Sequence, residues 1–336
     1  MNKPLISIIL PVYNGEQFLE KAIESCLSQI YNAIELIIVN DCSSDNTLEI
    51  AERLAKADER IKIINNTVNK KLPESLNIGH KQAKGNYITW TSDDNLLKTN
   101  CLQELLNAII EQNADVVYAN NDVIDENGIV KRENINGPIE HVLFGNKIGA
   151  CFLYKKEVFN ALDGYNTSLY LLEDYDFWLR CVEQFRVSAV KNNLYQYRIH
   201  SNSLTSSISN SKHNKNKHSL GIKQMFNIIG EKYNWNSLTL SLLIASRLNY
   251  QIDIDKYLKN MLSIEQDVVK FGYGFDKDLV LIGLKKCIRK QLFVNSSNYS
   301  IRTVLKVLIY DKSLLFHKSF SRKTTVNFIL KSLFKL

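Results

Sequence analysis

Hydrophobic and polar positions along the first hundred residues follow a regular alternation. Short, nearly continuous apolar runs are separated by longer stretches in which apolar residues return every three or four positions. Leu5–Leu10 is apolar except for Ser7 and is closed by Pro11, the pattern of a strand buried on both faces of a parallel sheet. The turn Pro11-Val12-Tyr13-Asn14 follows, with Asn14 and Gln17 spaced as a helix cap and its reciprocal partner. Apolar residues at 18, 19, 22, 23, 26, 27 and 30 then keep the helical period. Glu35–Val39, Ile61–Asn65 and Tyr87–Thr91 repeat the strand pattern, with helices predicted after Asp45 and over Glu74–Ala83. Strands alternating with helices in this way call for a parallel sheet.

Beyond this point the pattern changes. Thr99 can cap a helix carrying Leu102, Leu105, Leu106, Ile109 and Ile110 on one face. Asp115–Asn120 and Asp122–Asp125 read as short strands, and Asn127-Gly128 as a hairpin turn before Ile129–Arg132. Residues 133–150 are poorly patterned and suit a loop over a site, and Lys155–Leu162 is helical. A further helix starts at Glu173, and Val187–Val190 and Tyr195–Arg198 would close the sheet. Ser201–Lys217, rich in Ser, Asn and Lys, reads as a linker or mobile flap. From His218 onward the pattern is helical, with segments near 219–233, 237–249, 253–271, 276–292, 299–316 and 320–334. The expected fold class is α/β, a Rossmann-like arrangement with a mostly parallel central sheet, followed by an all-helical C-terminal region. The expected division is 1–210 and 211–336.

Charge alters the picture at one end. Ile301–Leu336 carries eight Lys or Arg against the single acid Asp311, which accounts for the whole net charge of +7 and leaves the rest of the chain neutral. Interleaved with Val304, Leu308, Phe316, Phe328 and Leu333, these cations describe basic amphipathic helices that can lie on an anionic membrane surface. A helical bundle with solvated basic edges, or an oligomer contact, fits the same pattern. Nucleic acid binding has no supporting motif and is not expected. No apolar run is long enough to span a bilayer, and Met1–Leu5 leads straight into a strand pattern without a signal peptide, so a cytoplasmic chain is expected, at most peripheral to the inner face of the plasma membrane. Six cysteines without CxxC spacing read as reduced, mostly buried thiols.

Four acidic positions fall at predicted strand-to-helix turns: Asp41, Asp45, the pair Asp93-Asp94, and Asp174. Ligands of open α/β sheets bind at the carboxyl ends of the strands. Two adjacent carboxylates repel unless a cation lies before them, and a hard divalent cation would in turn hold a diphosphate. The plainer alternative is that each acid opens the next helix. Asp41 can accept a hydrogen bond from a base or ribose. Asp174, with Glu173 beside it and Trp178 as an apolar wall, has the setting of a general base. The first turn carries Asn14-Gly15 only, so no dinucleotide fingerprint is present.

Taken together, Pro11-Val12-Tyr13-Asn14, Val39-Asn40-Asp41-Cys42-Ser43-Ser44-Asp45-Asn46-Thr47, Gly85-Asn86-Tyr87-Ile88 with Ser92-Asp93-Asp94, and Glu173-Asp174 with Trp178-Leu179-Arg180 resemble the family 2 glycosyltransferases of GT-A fold. The resemblance covers roughly residues 4–205 and leaves out the C-terminal third. It implies that Pro11, Tyr13 and Asp41 line the nucleotide base with Glu16 close by, and that Ser92 and Arg198 belong to the nucleotide site. It further implies that Asp93, with Asp94, is the metal-binding acid of the DXD motif, and that His200 is a third ligand near the diphosphate. Asp174 is then the catalytic base, with Glu173 and Trp178 on the acceptor side. Thr91 stands where the commoner family sequence has the first acid. The activity implied is metal-dependent, inverting transfer of a hexosyl or N-acetylhexosaminyl group from a nucleotide sugar, a UDP-sugar first of all, to a glycan or lipid-linked acceptor, with Mn2+ or Mg2+ as cofactor. The alternative function is a catalytically silent relative that binds a nucleotide or a partner.

Overall fold

The computed structural model describes residues 3–294 and 300–334. In chain order the elements of the first part are β1 (Ile6–Val12), α1 (Leu19–Leu27), β2 (Ile34–Asn40), α2 (Thr47–Ala57), β3 (Ile61–Asn65), α3 (Leu72–Gln82), β4 (Tyr87–Trp90), β5 (Leu96–Leu97) and α4 (Cys101–Glu111). They continue with β6 (Val116–Ile124), β7 (Val130–Asn134), β8 (Phe152–Lys155), α5 (Lys156–Ala161), α6 (Glu173–Cys181) and β9 (Val187–Arg198). Helices follow: α7 (Leu204–Asn210), α8 (Lys212–Tyr233), α9 (Ser237–Leu248), α10 (Ile254–Lys259), α11 (Met261–Val268), α12 (Lys277–Val294), α13 (Ile301–Asp311), α14 (Ser313–Phe316) and α15 (Arg322–Phe334). Residue 299, where a predicted helix begins, lies outside the described residues.

The strands form one sheet in the order β3-β2-β1-β4-β8-β6-β9-β5, with β7 pairing β6. β1, β2, β3 and β4 are mutually parallel, as are β6 and β9, and these ladders hold most of the paired residues. The pairings of β8, β7 and β5 are antiparallel. All seven positions of β1 and all seven of β2 are buried, as strands covered on both faces require. β1 runs through Pro11 to Val12, past the end predicted for it. The Ile9 carbonyl accepts from Thr91 on the β4 side, and Pro11 shares that parity. The β4 ladder has already ended at Ile9 opposite Trp90, so the missing N–H of Pro11 breaks no bond. Gly85 is required where the chain enters β4: a Cβ there would lie 2.7 Å from the Leu5 carbonyl and from the Ser7 amide nitrogen.

Several expectations are corrected. β8 lies between a predicted loop and a predicted helix, because Cys151-Phe152-Leu153-Tyr154 is a short apolar run without a period. β6 is one strand of nine residues, and β9 one strand of twelve with register shifts opposite Asn120 and Asn121. Ser201–Lys217 is no linker. Ser203 Oγ accepts from the Ser206 amide at 3.2 Å and caps α7, so a capping side chain starts a helix that apolar periodicity does not announce. Asn14 does not cap α1, which begins at Leu19.

By compactness the chain divides into one unit of residues 1–139 and 146–218 and another of 140–145 and 219–336. The first holds the sheet. The second is helical, with a core that includes Phe226, Leu243, Ile264, Leu284 and Val307, each 0% exposed. There Asp267 accepts from Asn236 N at 2.9 Å and Thr239 Oγ1 at 2.8 Å, fixing the start of α9. The six cysteines are free thiols, all buried except Cys42. No helix among the described residues is long and apolar enough to cross a membrane.

Candidate active site

Strand order reverses at β1, where the connection from β1 leads to β2 on one side while β4 pairs on the other. This is the point at which an open α/β sheet leaves a crevice beyond its carboxyl ends. The turns that leave β1 and β2 are tied to each other. Asn14, in the left-handed region at φ 53°, donates its amide to Ser43 Oγ at 2.9 Å, and its Oδ1 accepts from Ser44 N at 2.8 Å. Gly15 N donates to Thr47 Oγ1 at 2.9 Å and Glu16 N to Asp45 Oδ2 at 3.1 Å. Asp45 therefore serves the turn itself. The Glu16 carboxylate accepts from Asn46 N and Nδ2 at 2.9 and 2.8 Å, at the start of α2.

A cavity of about 380 Å³ opens at this reversal, within the range of small-ligand sites. Pro11, Tyr13 and Gly15 line it from β1 and its turn, Asp41 from the end of β2, and Ser92, Asp93 and Asp94 from the end of β4. His200 lines it as well, and the sequence-predicted acids of two strand ends, Asp41 beyond β2 and Asp93-Asp94 beyond β4, share the one cavity. Residues to which sequence reasoning gave no site role contribute too: Asn69, Lys71, Leu72, Ser75, Tyr170, Asn202, Ser203, Leu204 and Ser207.

Asp41 is buried. Its Oδ1 accepts from Asn66 Nδ2 and Lys70 N and its Oδ2 from Lys71 N, all at 2.8 Å. A carboxylate oxygen has room for about two acceptor contacts, so Oδ2 keeps one for a ligand. Asp93 and Asp94 are half-buried side by side. Burial, then the charge of Asp94, pushes the Asp93 carboxyl up to about 7. Asp94 Oδ2 lies 2.9 Å from His200 Nε2, whereas Asp94 Oδ1 is buried with no hydrogen-bond partner. Gly15 makes room for the pair: a Cβ there would lie 1.9 Å from Asp93 Oδ2.

Other predicted site residues fall elsewhere. Arg198 is buried and does not line the cavity. Its guanidinium donates to the carbonyls of Asp94 at 2.8 Å, Asp125 at 3.0 Å and Glu126 at 2.9 Å, tying the β4 turn to the β6–β7 hairpin. Thr91 is buried with its Oγ1 2.6 Å from Tyr195 Oη, and is not part of the lining. Trp178 is 0% exposed, enclosed by Phe152, Tyr154 and Phe177, so it presents no surface to an acceptor. Glu173 is also buried, and its Oε2 accepts from Leu171 N at 2.7 Å. Burial, then Asp174, raises its carboxyl to about 8. Asp174 is half-buried in the first turn of α6 and lies outside the lining of the cavity. Its Oδ1 accepts from Tyr175 N at 2.6 Å and its Oδ2 from Asn146 Nδ2 at 2.8 Å.

Among the described residues, no three His, Cys, Asp or Glu side chains are grouped as a complete metal site. The unpartnered Asp94 oxygen, beside the raised Asp93 carboxyl, nonetheless fits a divalent cation bound by one or two carboxylates with phosphate oxygens from a ligand completing the shell. An α/β sheet that offers carboxylates to a cavity at its switch point is the architecture of a nucleotide-binding protein.

Comparison with known proteins gives that class its family. Residues 7–163 match the model of glycosyl transferase family 2. The chain is 33% identical over 192 residues to an uncharacterized glycosyltransferase of Haemophilus influenzae, covering 56% of this chain and 76% of the relative. It is 28% identical to a second one from that organism over 97% of this chain and 99% of the relative. Of two longer glycosyltransferases, from Rickettsia felis and Rickettsia bellii, the chain spans 36% and 30% of the length. Among solved structures, S. aureus TarS 1-349 in complex with UDP-GlcNAc superposes with a TM-score of 0.59 at 14% identity, over 92% of this chain and 90% of that one. The mannosyltransferase PcManGT from Pyrobaculum calidifontis, in complex with GDP-Man and Mn2+, superposes with a TM-score of 0.55 at 12% identity, over 99% of this chain and 88% of that one. At such identities these two show the fold, which is GT-A. The chain belongs to glycosyltransferase family 2 and is a glycosyltransferase.

Proposed function

We propose that the protein moves a hexosyl or N-acetylhexosaminyl group from a nucleoside-diphosphate donor, a UDP-sugar first of all, to a hydroxyl of a glycan or lipid-linked acceptor reached from the cytoplasmic side. The transfer inverts the anomeric carbon and depends on Mn2+ or Mg2+. The observation that carries this reading is the single cavity shared by Asp41, Asp93 and Asp94, with one Asp94 oxygen buried and unpartnered. Complexes of TarS with UDP-GlcNAc and of PcManGT with GDP-Man support the choice of donor class.

In this reading Pro11, Tyr13 and the remaining acceptor of Asp41 hold the nucleoside. Tyr13, 52% exposed, has a ring face free to stack on a base. Glu16 and Arg198 act one step back, through Asn46 and through the β4 turn. Asp93 and Asp94, with His200 as the third side chain, would hold the divalent cation, which when bound offsets the charge of the diphosphate. Ser92 lies beside them. The Asp174 carboxylate takes the proton of the acceptor hydroxyl. The acceptor oxygen forms a bond to the anomeric carbon from the face opposite the diphosphate, and the bond to the diphosphate oxygen breaks. A nucleoside diphosphate departs as an anion, so no acid need protonate it, in contrast to glycoside hydrolysis. Thr91 lends little to a silent relative: its hydroxyl is engaged by Tyr195 away from the cavity, so the missing acid leaves the lining intact.

The test is a panel of UDP-, GDP- and TDP-sugars, read first by thermal stabilisation and then by donor turnover in Mn2+ and in chelator. A stabilising donor whose turnover needs the metal is expected, with product of inverted configuration by NMR. No response to any donor in Mn2+ would overturn the reading.

A further inference from the structure

The terminal helices carry a surface that the transfer site does not use. In α13, Val304 and Val307 are buried in the helical core, while Ile301, Leu305, Leu308 and Ile309 are exposed at 46, 53, 41 and 78%. In α15, Thr325, Phe328 and Ser332 are buried, while Val326, Leu330, Leu333 and Phe334 are exposed at 52, 44, 50 and 66%. Both exposed sets have the spacing i, i+4, i+7, i+8. Each is therefore an apolar stripe along the solvent-facing side of its helix, beside the positions that pack inward. A surface helix normally turns polar residues outward, and here each outward stripe is made of apolar residues alone. Exposed Arg302, Lys312, Arg322 and Lys323 flank or interrupt the stripes. None of these four forms an ion pair among the described residues, whereas Lys306 and Lys285 are engaged with Asp255 and Asp311.

The scaffold beneath is fixed. Arg289 is buried and donates to the Leu314 carbonyl at 2.7 Å, the Ser321 carbonyl at 3.0 Å and Thr325 Oγ1 at 2.9 Å, so α14 and the start of α15 are held to α12. The stripe of α15 is thus presented by a helix already tied down, and α13 is held to α10 through Lys306 and Asp255.

We propose that the outward faces of α13 and α15 dock the protein on an anionic lipid surface, with the stripes entering the headgroup boundary and the four cations meeting lipid charge. Charge complementarity selects this occupant. A second copy in a two-fold contact would set the same unneutralised cations against each other. A nucleic acid would leave the apolar stripes unexplained. None of these helices can span a bilayer, so the association is interfacial.

The test is co-sedimentation of the full chain with phosphatidylcholine vesicles with and without phosphatidylglycerol, in the absence of donor, so that failure leaves the transfer reading untouched. Binding is expected only to anionic vesicles, released by salt. Replacing any one of Arg302, Lys312, Arg322 or Lys323 by Gln should weaken partitioning about fivefold. Ile309→Asp and Leu330→Asp should weaken it at least as much without changing the melting temperature, because both side chains are exposed. Three results would each overturn the proposal: no binding to anionic vesicles at low salt, binding indifferent to Ile309→Asp and Leu330→Asp, or a lipid-free dimer that those substitutions dissociate.

Discussion

Two pairs of adjacent acids that the sequence singles out, Asp93-Asp94 beyond β4 and Glu173-Asp174 at the start of α6, are satisfied differently. In each pair burial lifts one carboxyl, Asp93 to about 7 and Glu173 to about 8. At α6 the backbone answers the charge: Leu171 N reaches Glu173, Tyr175 N reaches Asp174, and Asn146 adds a side-chain donor. Acids in a first helical turn also meet the favourable end of the helix dipole. Beyond β4 no helix begins at the pair, and one Asp94 oxygen is left buried and bare. Adjacent acids alone therefore do not mark a cation site. The unmet acceptor does.

The sharpest way to break this comparison is to remove one acid from each pair. Asp93→Ala should abolish metal-dependent donor turnover, by on the order of 10³-fold or more, together with metal-dependent stabilisation by the donor. Asp174→Asn should lower transfer by roughly 10²- to 10⁴-fold while donor binding stays near wild type. Titration calorimetry with donor and metal, run beside a transfer assay, separates the two. If both variants lose donor binding alike, the division of labour is wrong.

A smaller effect is expected at Gly15. A Cβ there meets Asp93 Oδ2 at 1.9 Å and Val12 Cγ2 at 2.7 Å, both ends of side chains rather than backbone. In Gly15→Ala the carboxylate can swing aside at modest cost in stability, but it leaves the position that the cavity gives it. Turnover should fall about tenfold, the equivalent of roughly 1.4 kcal/mol, with a rise in the metal concentration needed for half-activity. A change in melting temperature without a change in metal requirement would argue that Gly15 serves only the turn.

The parts of this arrangement that sequence disclosed are those set by local rules. β1 and β2 are apolar because both faces are covered, α1 and α4 keep the helical period, and Asp41 and Asp93 stand where strands end. The parts it concealed depend on how distant segments approach. Lys71 lines the cavity from a strained position at φ 71°, held by the hydrogen bond from its amide to Asp41, and nothing adjacent to it in sequence records that. Tyr170, from before α6, and Asn202, Ser203, Leu204 and Ser207, from beyond β9, join the lining for the same reason. Trp178, expected as an apolar wall beside Asp174 on the acceptor side, lies one helical turn further on and is carried into the aromatic core. Arg198, expected in the nucleotide site beside His200, has its guanidinium engaged by three carbonyls.

The mildest test addresses the acid that burial and the neighbouring Asp174 keep protonated. The folded Glu173 carboxyl keeps its proton up to about 8, against 4.5 for the ordinary side chain. Across that window the folded state holds one proton more than the unfolded state. Its contribution to stability is therefore complete below about pH 4.5 and is lost as pH rises through 8, with a slope of at most about 1.4 kcal/mol per pH unit. Gln is the neutral counterpart of the protonated acid and keeps an oxygen for Leu171 N. Glu173→Gln should accordingly remove the slope, melting no lower than wild type near neutrality and relatively higher as pH increases, with transfer changed only a few-fold. Chemical denaturation across this window decides the matter. A slope that survives the substitution would assign the proton to another group, and a large loss of transfer would mean that Glu173 acts with Asp174 rather than behind it.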